Sequence, residues 1–226
     1  MSTPETELAK VGIQAATEAA EQFLKKLVGA PLEEIGQLLA DKVRFYRFNN
    51  QIKILEKAQK LLDDSGVSPQ KVLLKTLVPL LENGSLEEDE SLIDKWAALL
   101  ATAANPNSKV FVQPSFSEIL KELSPKEALI LDTIYDMVIS LNIPRDRWVQ
   151  HGAQGESLRQ VLQLSDQEFE ISIDNLYRLR LCLPPATGIE ALDHPEWKFQ
   201  LQTKEVICLT ELGFAFVSAC RPPKKA

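Results

Sequence analysis

Residues 40–60 read ADKVRFYRFNNQIKILEKAQK, and this basic, aromatic segment sets the architecture expected for the rest of the chain. Between residues 42 and 60 there are six Lys and Arg residues and one acid, Glu56, a local net charge of +5 in a chain of net charge −7. Apolar residues recur at helical spacing over residues 35–62, which predicts one long helix, either a straight spine or a helix kinked near Asn49. The basic–aromatic segment (residues 42–60) should therefore lie on a helix of an α-helical bundle.

Two interpretations of the basic–aromatic segment remain open. As an anion-binding surface it would contact phosphates and stack on bases, as cationic grooves with aromatic platforms do; the candidates are Lys42, Arg44, Arg47, Phe48, Lys53 and Lys57. As a structural helix it would bury Val43, Tyr46 and Ile54 together and pair its charges with the acidic run at residues 87–90. We favour the structural interpretation.

The acidic run is expected to begin the next long helix. Ser85-Leu-Glu-Glu88 has the spacing of a capping box, which predicts a helix from there to about Ala104. The run would then lie in the first helical turn, where the helix dipole favours negative charge. It lacks the alternating Asp/Asn and Gly spacing that brings oxygen ligands together around Ca²⁺ or Mg²⁺. We predict structural capping and no metal site, with an acidic patch for a basic partner as the alternative; the residues are Glu87, Glu88, Asp89 and Glu90.

Residues 4–29 are rich in Ala at three- and four-residue steps and predict a helix with a face of small residues. Such a face favours helix packing and self-association, so a homo-oligomer through this segment is expected. Contact with a membrane surface is the weaker alternative, because Lys is sparse there. No apolar run reaches the roughly 18–20 residues that a membrane span needs.

The cysteines and the N-terminus indicate the compartment. Cys182, Cys208 and Cys220 are odd in number, widely spaced and form no CxxC motif. We expect them to be buried thiols in a reducing compartment. The N-terminal residues lack the basic and apolar regions of a secretory signal. A cytoplasmic protein is the expectation.

Residues 124–226 predict a second domain of winged-helix-like order. Capping boxes at residues 124–127 and 165–168 start two helices with a short helix over residues 157–164 between them, after a loop over residues 142–155. Two strands, at residues 197–202 and 205–209, form a β-hairpin, and Thr210 starts the last helix. The fold class is therefore mainly α: an N-terminal helical bundle, residues 1–123, and a winged-helix-like domain, residues 124–226, with a small β-hairpin.

The charge of this second domain argues against DNA recognition. Residues 124–226 contain 11 basic and 14 acidic residues. Duplex binding depends on neutralising phosphates with Lys and Arg, so an acidic recognition helix would repel DNA. We favour protein contact over DNA binding; the charges of the presumed recognition helix are Asp166, Glu168, Glu170 and Asp174 against Arg178 and Arg180.

Catalytic motifs are missing from the sequence. The two histidines, His151 and His194, fall in loop-like stretches away from any Cys. No HExxH, GxSxG, glycine-rich phosphate loop or paired-cysteine spacing is present. The sequence thus predicts a protein that is not an enzyme and uses no cofactor and no metal.

Several strings together resemble the bacterial Abi-alpha (abortive infection alpha) family. They are LLADKVRFYRFN (38–49), ILEKA (54–58), LLE (80–82), SLEEDE (85–90), WAALLA (96–101), PSFSEILKELSP (114–125) and TELGF (210–214). The resemblance runs from about Pro31 to the end of the chain. It implies an all-helical protein associated with phage defence by abortive infection or a related host-protective process, and it transfers no catalytic residue.

The combined prediction is a non-enzymatic cytoplasmic interaction protein that acts through protein contacts and self-association. The alternative is a nucleic-acid-binding protein that uses the basic–aromatic segment. Membrane contact is unlikely on the composition of residues 4–29.

Overall fold

A computed structural model describes residues 22, 23, 26, 45–184 and 206–223 of the chain. Over these residues the protein is mainly helical with one small three-stranded sheet, which confirms the prediction of a mainly α protein. The chain divides into two compact units, Met1–Glu122 with Ala219–Ala226, and Leu123–Ser218. The sequence prediction had placed the break after residue 123 and had kept the C-terminal residues with the second domain. Among the described helices, none is both long enough and apolar enough to cross a membrane.

The first unit contains four described helices. They are α1 (Phe45–Asp64), α2 (Leu74–Gly84), α3 (Glu90–Ala104) and α4 (Ser115–Lys121). Helix α1 continues through Asn49 without interruption and packs along α3. Gly66, with a φ of +67°, turns the chain after α1, a backbone conformation that glycine adopts at little cost. Fully buried apolar side chains of all four helices form the core: Ile54, Ala58, Leu62, Leu80, Trp96, Leu100, Phe116 and Leu120.

The start of α2 differs from the sequence prediction. The turn at residues 66–69 and the dense apolar run over residues 72–81 predict a core helix that starts at Ser68-Pro69 and stops at Asn83-Gly84, but α2 begins at Leu74. The preceding segment instead pairs with the end of α3, because the Gln70 N–H donates to the Ala104 carbonyl at 2.8 Å. Leu73 and Leu74, which the sequence assigned to the core, are 72% and 50% exposed. The predicted end of the helix at Gly84 is confirmed.

The second unit combines helices with the sheet. Its elements are α5 (Pro125–Ser140), a 3-10 helix (Arg145–Gln150), β1 (Gly152–Gln154), α6 (Gly155–Val161), α7 (Asp166–Arg178), β2 (Cys182–Leu183), β3 (Val206–Leu209) and α8 (Glu211–Ala219). Strand β3 lies between β1 and β2 and is antiparallel to both. Cys208 of β3 is paired with Gly152 on one side and with Leu183 on the other.

The strands only partly follow the sequence prediction. The expected loop at residues 142–155 is wrong, since it contains the 3-10 helix and β1. Strand β3 confirms the second predicted strand at residues 205–209. The first predicted strand, residues 197–202, and its turn at residues 203–204 lie outside the described residues.

Both capping boxes of the second unit are confirmed. At the start of α5, Ser124 accepts from the Glu127 N–H while the Glu127 carboxylate accepts from the Ser124 N–H. Ser165 and Glu168 make the same reciprocal pair at the start of α7. Each box satisfies backbone donors that have no partner within the helix. These local signals fix where α5 and α7 begin.

The TELGF string at residues 210–214 anchors α8. The Thr210 hydroxyl donates to the Arg180 carbonyl at 2.7 Å and accepts from the Gly213 N–H at 2.9 Å, so it caps the helix and ties it to the end of α7. A Cβ on Gly213 would come within 2.1 Å of the Leu181 carbonyl oxygen. Phe214 is buried, with its ring centroid 5.2 Å from that of Trp148. The string therefore has a packing role.

Candidate functional site: the basic–aromatic segment and its acidic counterpart

Helices α1 and α3 carry complementary charges at matching four-residue steps. Lys53 and Lys57 lie one turn apart on α1, and Glu90 and Asp94 lie one turn apart on α3. Lys53 pairs with Glu90, and Lys57 pairs with Asp94 and, at 3.8 Å, with Glu90. The carboxylates are about two-thirds exposed, so each pair contributes roughly 0–1 kcal/mol. We call Lys53, Lys57, Glu90 and Asp94 the charge ladder. Two of the predicted phosphate ligands, Lys53 and Lys57, therefore pair with carboxylates of their own chain.

A buried polar network lies beside the charge ladder. Asn50 is 7% exposed, and its amide donates to the backbone carbonyls of Ser85 at 3.2 Å and Glu87 at 2.6 Å. The Arg47 guanidinium donates to the Ser85 hydroxyl at 3.0 Å, and that hydroxyl donates to the Glu82 carbonyl at 2.6 Å. Buried polar groups need such partners, because an unsatisfied one costs about 1–3 kcal/mol. This network fixes the turn between α2 and α3 against α1.

The predicted capping box at Ser85 is wrong. Helix α3 begins at Glu90, and its N-cap is Asp89, which accepts from the N–H groups of Ser91 and Leu92 at 2.9 and 3.2 Å. Ser85 is fully buried and bonded to Arg47, so it cannot serve as a cap. Bonds from the Ser91 hydroxyl and from the two N–H groups hold the pKa of Asp89 below its usual range. Asp89 is therefore a helix cap.

The acidic run does not converge on one point. The Glu87 carboxylate accepts from the N–H groups of Glu88 and Asp89 at 3.0 Å, while Glu90 points to Lys53. Glu88 is exposed. In the part of the chain that the structure describes, no three His, Cys, Asp or Glu side chains are grouped so that they could hold a metal ion.

The remaining members of the basic–aromatic segment lie in different environments. Lys42 and Arg44 lie outside the described residues, as do the side chains of Phe45 and Tyr46. Phe48 is half-buried, and Lys60 is exposed with no ion pair to a described carboxylate. Ile54 is buried as expected. Helical spacing predicts Gln51 on a different face, together with Arg44 and Arg47, but Gln51 is 7% exposed and donates to the Leu81 carbonyl.

Helix α7 presents an acidic face with an apolar residue within it. Asp166 pairs with Arg159 of α6 at 2.7 Å, and Glu168 pairs with Lys126 of α5. The Lys126 ammonium, followed by the Ser165 N–H and hydroxyl, lowers the pKa of Glu168 to about 2. Ile171, one turn further, is 60% exposed. The sequence pattern counts Ile171 with the other apolar residues of this helix and does not predict its exposure.

A buried carboxylate connects α5 to α7. Glu127 is 5% exposed; one oxygen accepts from Ser124 and the other accepts from the Asn175 amide at 2.8 Å. The Arg178 guanidinium donates to the Asn175 carbonyl oxygen at 2.8 Å. Sequence reasoning assigned Glu127 to the capping box but had no signal for its second partner. This carboxylate has a structural role on both sides.

The cysteine thiols and the described histidine, His151, have structural roles. Cys182, Cys208 and Cys220 are buried and form no disulfide, as predicted. Burial raises the pKa of the Cys182 and Cys208 thiols, so both are neutral at physiological pH, and a neutral thiol is a poor nucleophile. The His151 ring nitrogen Nδ1 lies 2.9 Å from the Arg147 carbonyl oxygen within the 3-10 helix region. His194 lies outside the described residues.

Comparison with known protein families confirms the resemblance noted in the sequence. The family model described as abortive infection alpha matches residues 49–220, from the first turns of α1 to the residue after α8. No curated protein and no solved structure matches the chain. The matched range includes the charge ladder and Asn50, and it excludes residues 4–29 and the first part of the basic–aromatic segment.

Proposed function

The chain belongs to the abortive infection alpha family, and from that premise we propose that it acts in phage defence as a non-enzymatic cytoplasmic protein. It works through protein contacts and through self-association of residues 4–29. The first unit is a helical bundle that supports these contacts, and the second unit is a winged-helix domain that binds protein.

The observation that carries this proposal is the charge ladder. Lys53 and Lys57 bind carboxylates of their own chain, and Arg47 donates to buried Ser85. A phosphate would have to displace these partners, at a cost of up to about 1 kcal/mol for each ion pair, while protein contact elsewhere on the chain requires no such exchange. One carboxylate in each unit also has structural partners, since Asp89 caps α3 and Glu127 bridges α5 and α7. This use of the acidic side chains favours a role without catalysis.

The second unit supports protein contact through its topology and charge. The order α5, β1, α6, α7, β2, β3 with β3 central supports our proposal that this unit is a winged helix, in which α7 would take the place of the recognition helix. The α7 face carries Glu168 and exposed Ile171. An apolar residue with carboxylates around it suits a protein surface and repels DNA phosphates. We therefore assign α7 to partner binding.

A phage plaque assay on bacteria that express the chain tests this assignment. In the first variant, Ile171→Ser and Glu170→Lys change the α7 face. In the second, Lys53, Lys57 and Lys60 are each changed to Glu. Protein contact through α7 predicts that the first variant loses its effect on plaque formation. Loss confined to the second variant would contradict it, provided that both variants melt cooperatively.

Self-association is tested by light scattering. The full chain and a variant lacking residues 1–30 are compared at equal concentration. We expect a larger mass for the full chain and a smaller mass for the variant. Two identical monomeric masses would remove the N-terminal contact from the proposal.

Nucleic-acid binding is the second candidate, and the exposure of the basic side chains favours it. Lys60 is exposed, and Lys53 and Lys57 are about one-third exposed in pairs that cost little to break. Binding of this kind would weaken steeply with salt and would fall on charge reversal of Arg44 and Arg47. A gel-shift series with single-stranded RNA and duplex DNA at rising salt measures it. Retention of neither probe at low salt would retire this candidate.

A further inference from the structure

Helices α2 and α3 form a hairpin with different surfaces at its two ends. The connecting turn, residues 85–89, lies at one end. At the other end, where α2 begins and α3 finishes, residues 70–76 and 102–112 enclose a groove of about 250 Å³. With 11 residues, α2 separates the two ends by about 16 Å, at 1.5 Å per residue.

The groove has an apolar rim that is open to solvent. Leu73 is 72% exposed and Phe111 is 76% exposed, and both line the groove. The volume is below the roughly 300–1,000 Å³ typical of small-molecule sites, so the groove suits an inserted side chain better than a metabolite. Large apolar side chains this exposed mark an interaction surface when they lie together.

The surroundings of the groove are basic, although the chain as a whole is acidic. Residues 65–81 and 95–117, which contain all of the lining residues, have no Asp or Glu. Lys71 lines the groove, and Lys75 and Lys109 adjoin lining residues in sequence. Over the described residues, none of these three lysines pairs with a carboxylate. The basic surroundings and the apolar rim of the groove therefore favour an acidic binding partner that carries a bulky apolar side chain.

The connecting turn of the same hairpin has this chemistry. Leu86 is 54% exposed, and the acidic residue Glu88, two positions further along the turn, is also exposed. The turn is held at the far end of α2 by Asn50, so it cannot reach the groove of its own chain. We propose that the turn of one copy docks into the groove of a second copy, with Leu86 between Leu73 and Phe111 and with Glu88 facing the lysines.

This contact is head-to-tail, because it joins two different surfaces of the same unit. A pair joined in this way keeps one free groove on one copy and one free turn on the other, so the contact adds further copies until a ring closes or a filament grows. The inference rests on the self-association in the proposed function and assigns it a second surface, separate from residues 4–29.

The test is sedimentation velocity on the full chain over a range of concentrations in low-salt buffer. Phe111→Ser removes the groove anchor, Leu86→Ser removes the inserted side chain, and Leu129→Ser, at a 50% exposed position in the second unit, is the matched control. We expect the mass of the unmodified chain and of the control to rise with concentration, and the mass of each of the other two variants to rise less, because only the contact through residues 4–29 remains. Replacing both Lys71 and Lys75 with Glu should weaken the association at least tenfold.

The decisive measurement is made on an equimolar mixture of the Phe111→Ser and Leu86→Ser variants. Each pair of the two variants keeps one intact groove and one intact turn, so the mixture should reach a larger mass than either variant alone at the same total concentration. A mixture with no larger mass than either variant alone would overturn the head-to-tail contact. A mass above that of the monomer that neither substitution changes would also overturn it, and would leave the N-terminal contact of the proposed function intact. A monomeric full chain would overturn both contacts, while the plaque assay still tests the role of α7.

Discussion

The Asn50 amide donates to the backbone carbonyl of Glu87 at 2.6 Å, so that α1 holds the turn leading into α3. The bond joins residues 37 positions apart in the chain and is accompanied by a second one to Ser85. Because both acceptors are backbone carbonyls, the position of the turn depends on the amide of Asn50. The charge ladder begins on the next turn of the same two helices.

Replacing Asn50 should destabilise the fold far more than replacing its neighbour. Asn50→Ala leaves two carbonyls without a donor, and we expect a loss of about 1–3 kcal/mol in the free energy of unfolding. Asn49→Ala, on the exposed side of the same helix, is the matched control and should stay within about 0.5 kcal/mol. Urea denaturation of both variants measures the difference. Equal losses of unfolding free energy in the two variants would mean that the hydrogen bonds of the Asn50 side-chain amide contribute nothing specific.

The charge ladder should couple its residues weakly and in a salt-dependent way. A double-mutant cycle of Lys57→Met and Asp94→Asn should give a coupling of about 0.2–1 kcal/mol, because both groups are partly exposed. Lys60→Met with Asp94→Asn is the control, since Lys60 has no ion pair among the described residues. Coupling that survives in 1 M salt would show that the pair is not a screened surface interaction.

Gly213 should tolerate no side chain. A Cβ there would lie 2.1 Å from a backbone oxygen of Leu181, so Gly213→Ala forces α8 away from the end of α7. We expect a loss of about 1–3 kcal/mol or more, the range of overpacked sites. Gly66→Asn is the contrasting variant, because nothing lies within 4 Å and Asn accepts a left-handed backbone. Thermal unfolding that ranks Gly66→Asn as the worse change would contradict the prediction.

Acid should destabilise the second unit through the start of α7. The pKa of Glu168 is about 2 in the folded protein, below its ordinary value of 4.5, so the ionised form is the one that folding favours. Its contribution to stability is complete above about pH 4.5 and is lost as the pH falls towards 2. Lys126→Met should raise this pKa towards the ordinary value, because the Lys126 bond is the largest cause of the shift. Carboxyl ¹³C titration by NMR measures it, with Lys121→Met, next to Glu118, as the control.

Local signals in the sequence predicted the helix starts that depend on neighbouring residues. The boxes at Ser124 and Ser165 are confirmed because both members of each lie within one turn. The box at Ser85 failed although its spacing is the same, since Arg47 reaches that hydroxyl from another helix and Asp89 offers a better cap. A capping pattern does not show whether its serine is exposed.

The sequence could not predict which residues pair across elements that are far apart in the chain. It predicted that the basic segment would pair with the acidic run, but the partners Glu90 and Asp94 follow from how α1 and α3 align. The burial of Asn50 and Gln51 leaves no trace in hydrophobic periodicity, because both residues are polar. Strands β1 and β2 are three and two residues long, too short for alternation to be visible, and they form because β3 supplies partners on both sides.

The three buried thiols give the protein an internal reporter of its own opening. Cys182 and Cys208 lie on neighbouring strands of the sheet, and Cys220 follows α8. Because all three thiols are buried, a thiol-reactive dye can label each of them only when the structure around it opens. The rate of labelling in native buffer would therefore read the frequency of local opening directly, with no probe introduced and no residue changed.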